Sequence, residues 1–152
     1  MKLKIYTDTS VLGGCFDDEF MEPSEQLIEE FKIGKKIILI SDLTLREIEQ
    51  APTNVQKVLQ FIPTENKEFV ILDEDSKKLA QKYIEEQAIN DTFIVDAQHI
   101  AIATINRADV LVSWNFKHIV NLRRIRLYNS INLKYGYSMI EIRSPLEVID
   151  EI

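Results

Sequence analysis

At 152 residues, with 45% hydrophobic and 28% charged residues, the chain reads as one globular domain, 1–152, able to bury a core without disulfides or structural zinc. Its single cysteine, Cys15, excludes an internal disulfide and any multi-cysteine metal site. A net charge of −7, from 18 basic and 25 acidic residues, excludes indiscriminate coating of nucleic acid. No run approaches the length needed to span a bilayer, and Met1-Lys2 passes directly into a strand-like segment without an apolar leader, so a cytoplasmic protein with no membrane association is expected.

Leu3 to Thr7 is the first expected strand. Ser24 to Ile33 follows as a helix with Leu27, Ile28 and Phe31 on one stripe and Gly34 as its stop. Lys36 to Ile40 is a second, continuously apolar strand. A helix then runs from about Leu43 to Gln50, where Thr44 and Glu47 have capping-box spacing; a start at Ser41 or Asp42 is equally consistent. Pro52 suits the first turn of the next helix, which carries Val55, Val58, Leu59 and Ile62 before Pro63. Phe69 to Leu72 is the third strand.

Asp75 or Ser76 opens a helix through Glu86, with Leu79, Ala80, Tyr83 and Ile84 inward. Another begins near Asp91 or Thr92 and reaches about Asn106, and its Ile- and Ala-rich length implies burial on most faces. Asp109 to Ser113 is the fourth strand. Asn121 to Tyr137 fits a helix with a turn at Gly136, and Met139 to Ile142 is the fifth strand. Ser144-Pro145-Leu146-Glu147 reads as the N-cap, first-turn proline and capping-box glutamate of a short terminal helix. Strands continuous in Ile, Val and Leu and alternating with helices predict an α/β fold with a doubly wound, mainly parallel sheet. No repeat, low-complexity tract or linker divides the chain.

Four separate segments place an acid, or one amide, near a strand end or within a helix: Asp8-Thr9-Ser10, Glu47, Asp96 and Ser113-Trp114-Asn115. In an open parallel sheet, ligands collect outside the carboxyl ends of the strands, so Asp8 and Asn115 share a crevice if the first and fourth strands are neighbours. Each acid also has a plain structural reading. Asp8 can cap a turn, and Glu47 alone is an ordinary solvated helix residue. Asp96 lies between Val95 and Ala97 in an apolar helix, where an unpartnered carboxylate is costly. His99, three positions on, is within reach of Asp96 as an ion pair or orienting group, though such a histidine is more often a satisfied packing residue. With two histidines and one cysteine, zinc is poorly supported, and oxygen donors point to Mg²⁺ or Mn²⁺.

Charge is unevenly spread. Between Val110 and Ile140 there is no acidic residue, while Lys117, Arg123, Arg124, Arg126 and Lys134 fall there. This local basic island includes His118, Trp114 and Tyr128, which offer phosphate contact or base stacking, or serve as core.

Taken together, Asp8-Thr9-Ser10 after the first strand, Glu47 in the helix after the second, Asp96-x-x-His99-Ile100-Ala101 in a buried helix and Ser113-Trp114-Asn115-Phe116 after a later strand resemble the PIN domain family of metal-dependent ribonucleases. The likeness is narrower to the VapC-like toxins of type II toxin–antitoxin systems, and covers nearly the whole chain. It implies a three-layer α/β/α PIN-like fold with a five-stranded sheet, hydrolysis of single-stranded RNA, homodimerisation and inhibition by a small antitoxin. It also implies Asp8, Glu47 and Asp96 as metal-binding catalytic residues, with Asn115 where such proteins often carry a further aspartate. Asp91 and Asp109 are candidates to compensate for that missing acid. Thr9, Ser10 and Ser113 would position phosphate or water, and Lys117, Arg123 and Arg124 would draw in the RNA backbone. One rival reading is a PIN-fold RNA- or protein-binding module with weakened catalysis, which the asparagine favours. Another, a phosphoacceptor receiver domain, lacks the acidic pair near the first strand and the lysine after the last.

Overall fold

A computed structural model of the chain describes residues 1–150. Five strands, β1 (Lys4–Thr7), β2 (Ile37–Ser41), β3 (Lys67–Val70), β4 (Val110–Val112) and β5 (Ile142–Arg143), form one sheet in the order β3-β2-β1-β4-β5. Every pairing is parallel. Successive side chains point to opposite faces, so Tyr6, Leu39 and Leu111 enter one core and Ile5, Ile38, Ile40, Val110 and Val112 the other. Burial on both faces explains the unbroken Ile, Val and Leu runs. Each fully buried side chain of this size contributes about 1.5–3 kcal/mol.

Helices cover both faces, giving three α/β/α layers. The helices α1 (Thr9–Gly14), α2 (Met21–Lys32) and α4 (Thr53–Val58) pack over the Ile5 face, and α5 (Glu74–Glu85), α6 (Ile94–Ile105) and α7 (Leu122–Lys134) over the Tyr6 face. The remaining helix, α3 (Asp42–Glu49), follows β2 and sends Leu43 to one core and Ile48 to the other. Its N-cap is Ser41, whose hydroxyl accepts the Thr44 N–H at 3.1 Å. Among the described residues no helix is long and apolar enough to cross a membrane.

Several boundaries differ from the sequence expectation, each for a local reason. The third strand starts at Lys67, which pairs with Ile38, and ends at Val70. The fifth shrinks to two residues because Asn129 occupies the backbone of Ile140, accepting its N–H at 2.8 Å and donating to its carbonyl at 3.1 Å. The helix after Pro52 tightens to a 3₁₀ turn at Leu59–Phe61, and Ile62 is extended before Pro63. At the far end the capping box forms around Ser144 and Glu147, but on a single 3₁₀ turn, Pro145–Glu147. The helix α1 had no sequence signal beyond the capping potential of Asp8.

Starting from β1 at the centre, the chain adds β2 and β3 on one side and then returns to add β4 and β5 on the other. The switch point therefore lies between β1 and β4, where Thr7 pairs with Val112. Open parallel sheets bind ligands there. Residues 8 and 113 are the first to leave those two strands, so the topology brings them together.

Candidate active site

Asp8 is buried, with 5% of its surface exposed. Its two oxygens accept the hydroxyls of Ser10 and Ser113, each at 2.6 Å. Those hydroxyls in turn accept the backbone N–H groups of Trp114 and Asn115, each at 2.9 Å. The pair of serines thus rivets the start of α1 to the segment leaving β4. Burial pushes the Asp8 pKa up; the charge of Asp96 adds to this, while His99 and the two serines oppose it. Asp8 is an acid short of positive charge.

Glu47 comes from the last turn of α3 and is half-buried, one turn after the buried Leu43 and Thr44. Its Oε1 accepts the Thr9 hydroxyl at 2.9 Å and lies 2.6 Å from His99 Nε2. Partial burial would raise its pKa, yet the His99 hydrogen bond and charge, with Thr9, hold it below the usual carboxylate range. The sequence placed His99 beside Asp96. In the fold it points instead across to Glu47 and, through Nδ1, to the Tyr6 hydroxyl at 2.6 Å.

Asp96 lies in the first turn of α6, which the 3₁₀ turn Asp91–Phe93 leads into. Its Oδ2 accepts from Asn115 Nδ2 at 3.2 Å and lies 3.3 Å from His118 Nδ1. The His118 ring lies against Phe93, tilted by 33°, with ring centroids 3.8 Å apart. Burial drives its pKa down and Arg124 and Lys117 reinforce this, against the pull of Asp96. A role for His118 beside an acid 22 positions away carries no local sequence signal.

The fold thus brings Asp8, Thr9, Ser10, Glu47, Asp96, Ser113 and Asn115 to one end of the sheet, each linked to another by a named hydrogen bond. The hydroxyl hydrogens of Thr9, Ser10 and Ser113 are directed at the carboxylates. Asp109 lies elsewhere: its carboxylate accepts the Lys4 N–H at 2.8 Å, where β1 begins, at the opposite end of the sheet. Asp91 lines a separate hollow with Gln87 and Arg124.

The basic island divides. Lys117, Arg123 and Arg124 line one cavity of about 420 Å³ with Gln87, Ala88, Asn121 and Leu127, and among the described residues no acid lines it. Arg124 also donates to the Ala88 carbonyl at 2.8 Å. Arg126 faces a different groove beside Leu122 and Leu133, and Lys134 pairs with Glu86 at 2.9 Å. Trp114 and Tyr128 belong to the core. Trp114 stacks on Phe20 and donates to Ser24 at 2.8 Å, while Tyr128 donates to the His118 carbonyl at 2.6 Å.

As a metal centre, the donor set fits a hard divalent cation in chemistry: carboxylate oxygens, with a buried and undercompensated Asp8 among them. Among the described residues, no three His, Cys, Asp or Glu side chains are gathered tightly enough to ligate one ion directly. Mg²⁺ keeps several of its waters and is commonly held by one or two carboxylates, so wider spacing suits a hydrated ion.

Compared by sequence alone, the chain matches no family model and no curated protein. Compared by structure, it is similar to VapC20 of Mycobacterium tuberculosis, a sarcin–ricin loop cleaving toxin, with a TM-score of 0.56 and 12% identity over 90% of this chain and 98% of that one. It is also similar to a chain of VapBC2 from Rickettsia felis, bound to a fragment of promoter DNA (TM-score 0.53, 14% identity, 93% and 98% covered). A chain of the DNA-bound VapBC of Salmonella typhimurium gives 0.53, 18% identity and coverage of 94% and 98%. The fold is that of the VapC PIN domain.

Proposed function

We propose that this protein is a VapC-like, Mg²⁺- or Mn²⁺-dependent endoribonuclease that hydrolyses phosphodiester bonds in single-stranded RNA. The observation that supports the reading is that Asp8, Glu47 and Asp96 lie at the same end of a VapC-type sheet, each held by hydrogen bonds from neighbouring side chains. A nuclease of this class needs negative oxygens fixed beside the scissile phosphate to hold a cation. These three acids are the candidates for that work.

The chemistry such an ion supplies is activation of a water and neutralisation of charge on the phosphate under attack. The chain's own residues prepare for it. Ser10 and Ser113 hold both oxygens of Asp8, Thr9 and His99 hold one oxygen of Glu47, and Asn115 with His118 restrains Asp96. The cavity of Lys117, Arg123 and Arg124 supplies the local positive field that an acidic protein needs to draw a phosphate backbone towards carboxylates.

Partners follow from the same reading. The VapBC neighbours are complexes bound to DNA, which supports a small antitoxin as the protein partner here; a homodimer and a cytoplasmic site of action complete the proposal. One observation favours a second reading, an RNA- or protein-binding module with weak catalysis: Asn115 donates to Asp96 where a further acid would add charge. Incubating the protein with mixed single-stranded RNA, with Mg²⁺ or chelator, separates the two. Cleavage dependent on the ion supports the nuclease, and binding without cleavage supports the module.

A further inference from the structure

We propose that Tyr6 and His99 are positioning residues for Glu47, fixing one of its carboxylate oxygens between two donors and leaving the other for a divalent cation. The inference rests on the metal-dependent reading above and adds residues to it that neither touch substrate nor ligate the ion.

The geometry is a continuous buried chain. Tyr6 is fully buried in β1, and its hydroxyl lies 2.7 Å from Ser41 Oγ and 2.6 Å from His99 Nδ1. His99, 2% exposed, places Nε2 at 2.6 Å from Glu47 Oε1, which also takes the Thr9 hydroxyl. Among the described residues nothing donates to Glu47 Oε2. An ionised carboxylate carries no proton, so the hydrogen between His99 and Glu47 belongs to Nε2.

What Tyr6 contributes is the other end of the ring. In a neutral imidazole with Nε2 protonated, Nδ1 is a bare acceptor, and the Tyr6 hydroxyl is the donor that meets it. A phenol keeps its hydrogen at neutral pH, so the donor is there to meet that acceptor across the buried 2.6 Å contact. If the ring carries both protons, Tyr6 accepts from Nδ1 and donates to Ser41. In either state Nε2–H remains on Glu47, and the tautomer that would set a lone pair against the carboxylate is disfavoured. Groups that orient a ligand in this way govern metal affinity without touching the metal.

The test is calorimetric Mn²⁺ titration of the whole protein at one neutral pH, with melting in chelator as the check on folding. Tyr6→Phe and His99→Leu should each weaken Mn²⁺ binding by about tenfold or more. His99→Gln, whose amide can donate to the same oxygen, should recover most of the loss. A purely structural role would lower the melting temperature and leave the metal dissociation constant alone. Mn²⁺ affinity within about twofold of the parent in the folded His99→Leu and Tyr6→Phe proteins would overturn the inference. If Tyr6→Phe does not fold, the two His99 variants decide. A parent that binds Mn²⁺ and loses it on Asp8→Asn, beside unaffected Tyr6 and His99 variants, sinks this inference alone; a parent that binds no Mn²⁺ sinks it together with the metal-dependent reading.

Discussion

Asn115 turns its nitrogen, not its oxygen, towards Asp96. Its Oδ1 accepts the backbone N–H of His118 at 3.0 Å, and because a backbone N–H can only donate, the amide orientation is set; Nδ2 then donates to Asp96 at 3.2 Å. The amide therefore restrains an acid without adding charge to the site.

Replacing it by aspartate reverses that contact. Asn115→Asp sets a carboxylate against Asp96, so the protein should melt lower in chelator, by about 1 kcal/mol of stability, and bind Mg²⁺ or Mn²⁺ more tightly. Adding the ion should restore or exceed the parental melting temperature. Asn115→Leu also removes the cap on the His118 N–H, at a cost of about 1 kcal/mol, and should damage activity while the domain stays folded. Thermal melts with and without ion, and calorimetric titration, check both.

The acids should respond oppositely to pH. Asp8 has its folded-state pKa raised, so the folded protein takes up that proton before the unfolded chain does. Its burial penalty is absent in acid and is imposed as pH rises through the folded pKa. In chelator, Asp8→Asn should melt above the parent at neutral pH, with the gap closing as pH falls through the ordinary carboxylate range. Glu47 has its pKa lowered, so its stabilisation is present above the ordinary value and lost as pH falls through the folded one. Glu47→Gln should therefore destabilise near neutrality and matter little in acid. A pH series of melts reads both.

Much of this was legible in the chain, and the limits have physical causes. Continuous apolar runs announce strands buried on both faces, and Ser41 was legible as one of the possible starts of α3, whereas the cap at Asn121 emerges only in the structure. The strand order that joins Asp8 to Ser113 was legible only as a condition. His99 is the satisfied buried histidine that was one of its two readings, but Glu47 as its partner in place of Asp96 was not legible, because periodicity reports neighbours along one helix, whereas Glu47 arrives from another helix 52 positions away. Nor does sequence reveal which end of the Asn115 amide faces Asp96, since that depends on where the His118 backbone lies.

RNA affinity should depend on the acid-free cavity. Arg123→Ala and Lys117→Ala should each weaken binding of single-stranded RNA across sequences and reduce the slope of log affinity against log salt by about 1. Arg124 also holds the Ala88 carbonyl, so the double reversal Arg123→Glu with Arg124→Glu should weaken binding further at some cost in stability. Binding measured across a salt series checks this, and an unchanged slope would assign the cavity to another anion.

The seat of α1 depends on one glycine. A Cβ at Gly14 would lie 2.5 Å from Ser24 Oγ and 2.8 Å from Trp114 Nε1, the two atoms of the hydrogen bond that ties α2 to the segment after β4. Gly14→Ala should cost about 1–3 kcal/mol, visible as a lower denaturant midpoint. Gly13→Ala, with open space around the added methyl, should cost far less.

The most direct measurement is cleavage of a mixed single-stranded RNA pool by the parent, Asp8→Asn and Asp96→Asn, each shown to be folded, in Mg²⁺ or Mn²⁺ and in chelator. The parent should cut with either ion and not in chelator, and both variants should lose cleavage while retaining RNA binding. Undiminished cleavage in both variants, or cleavage by the parent that persists in chelator, would contradict the assignment of these carboxylates to a metal-dependent nuclease.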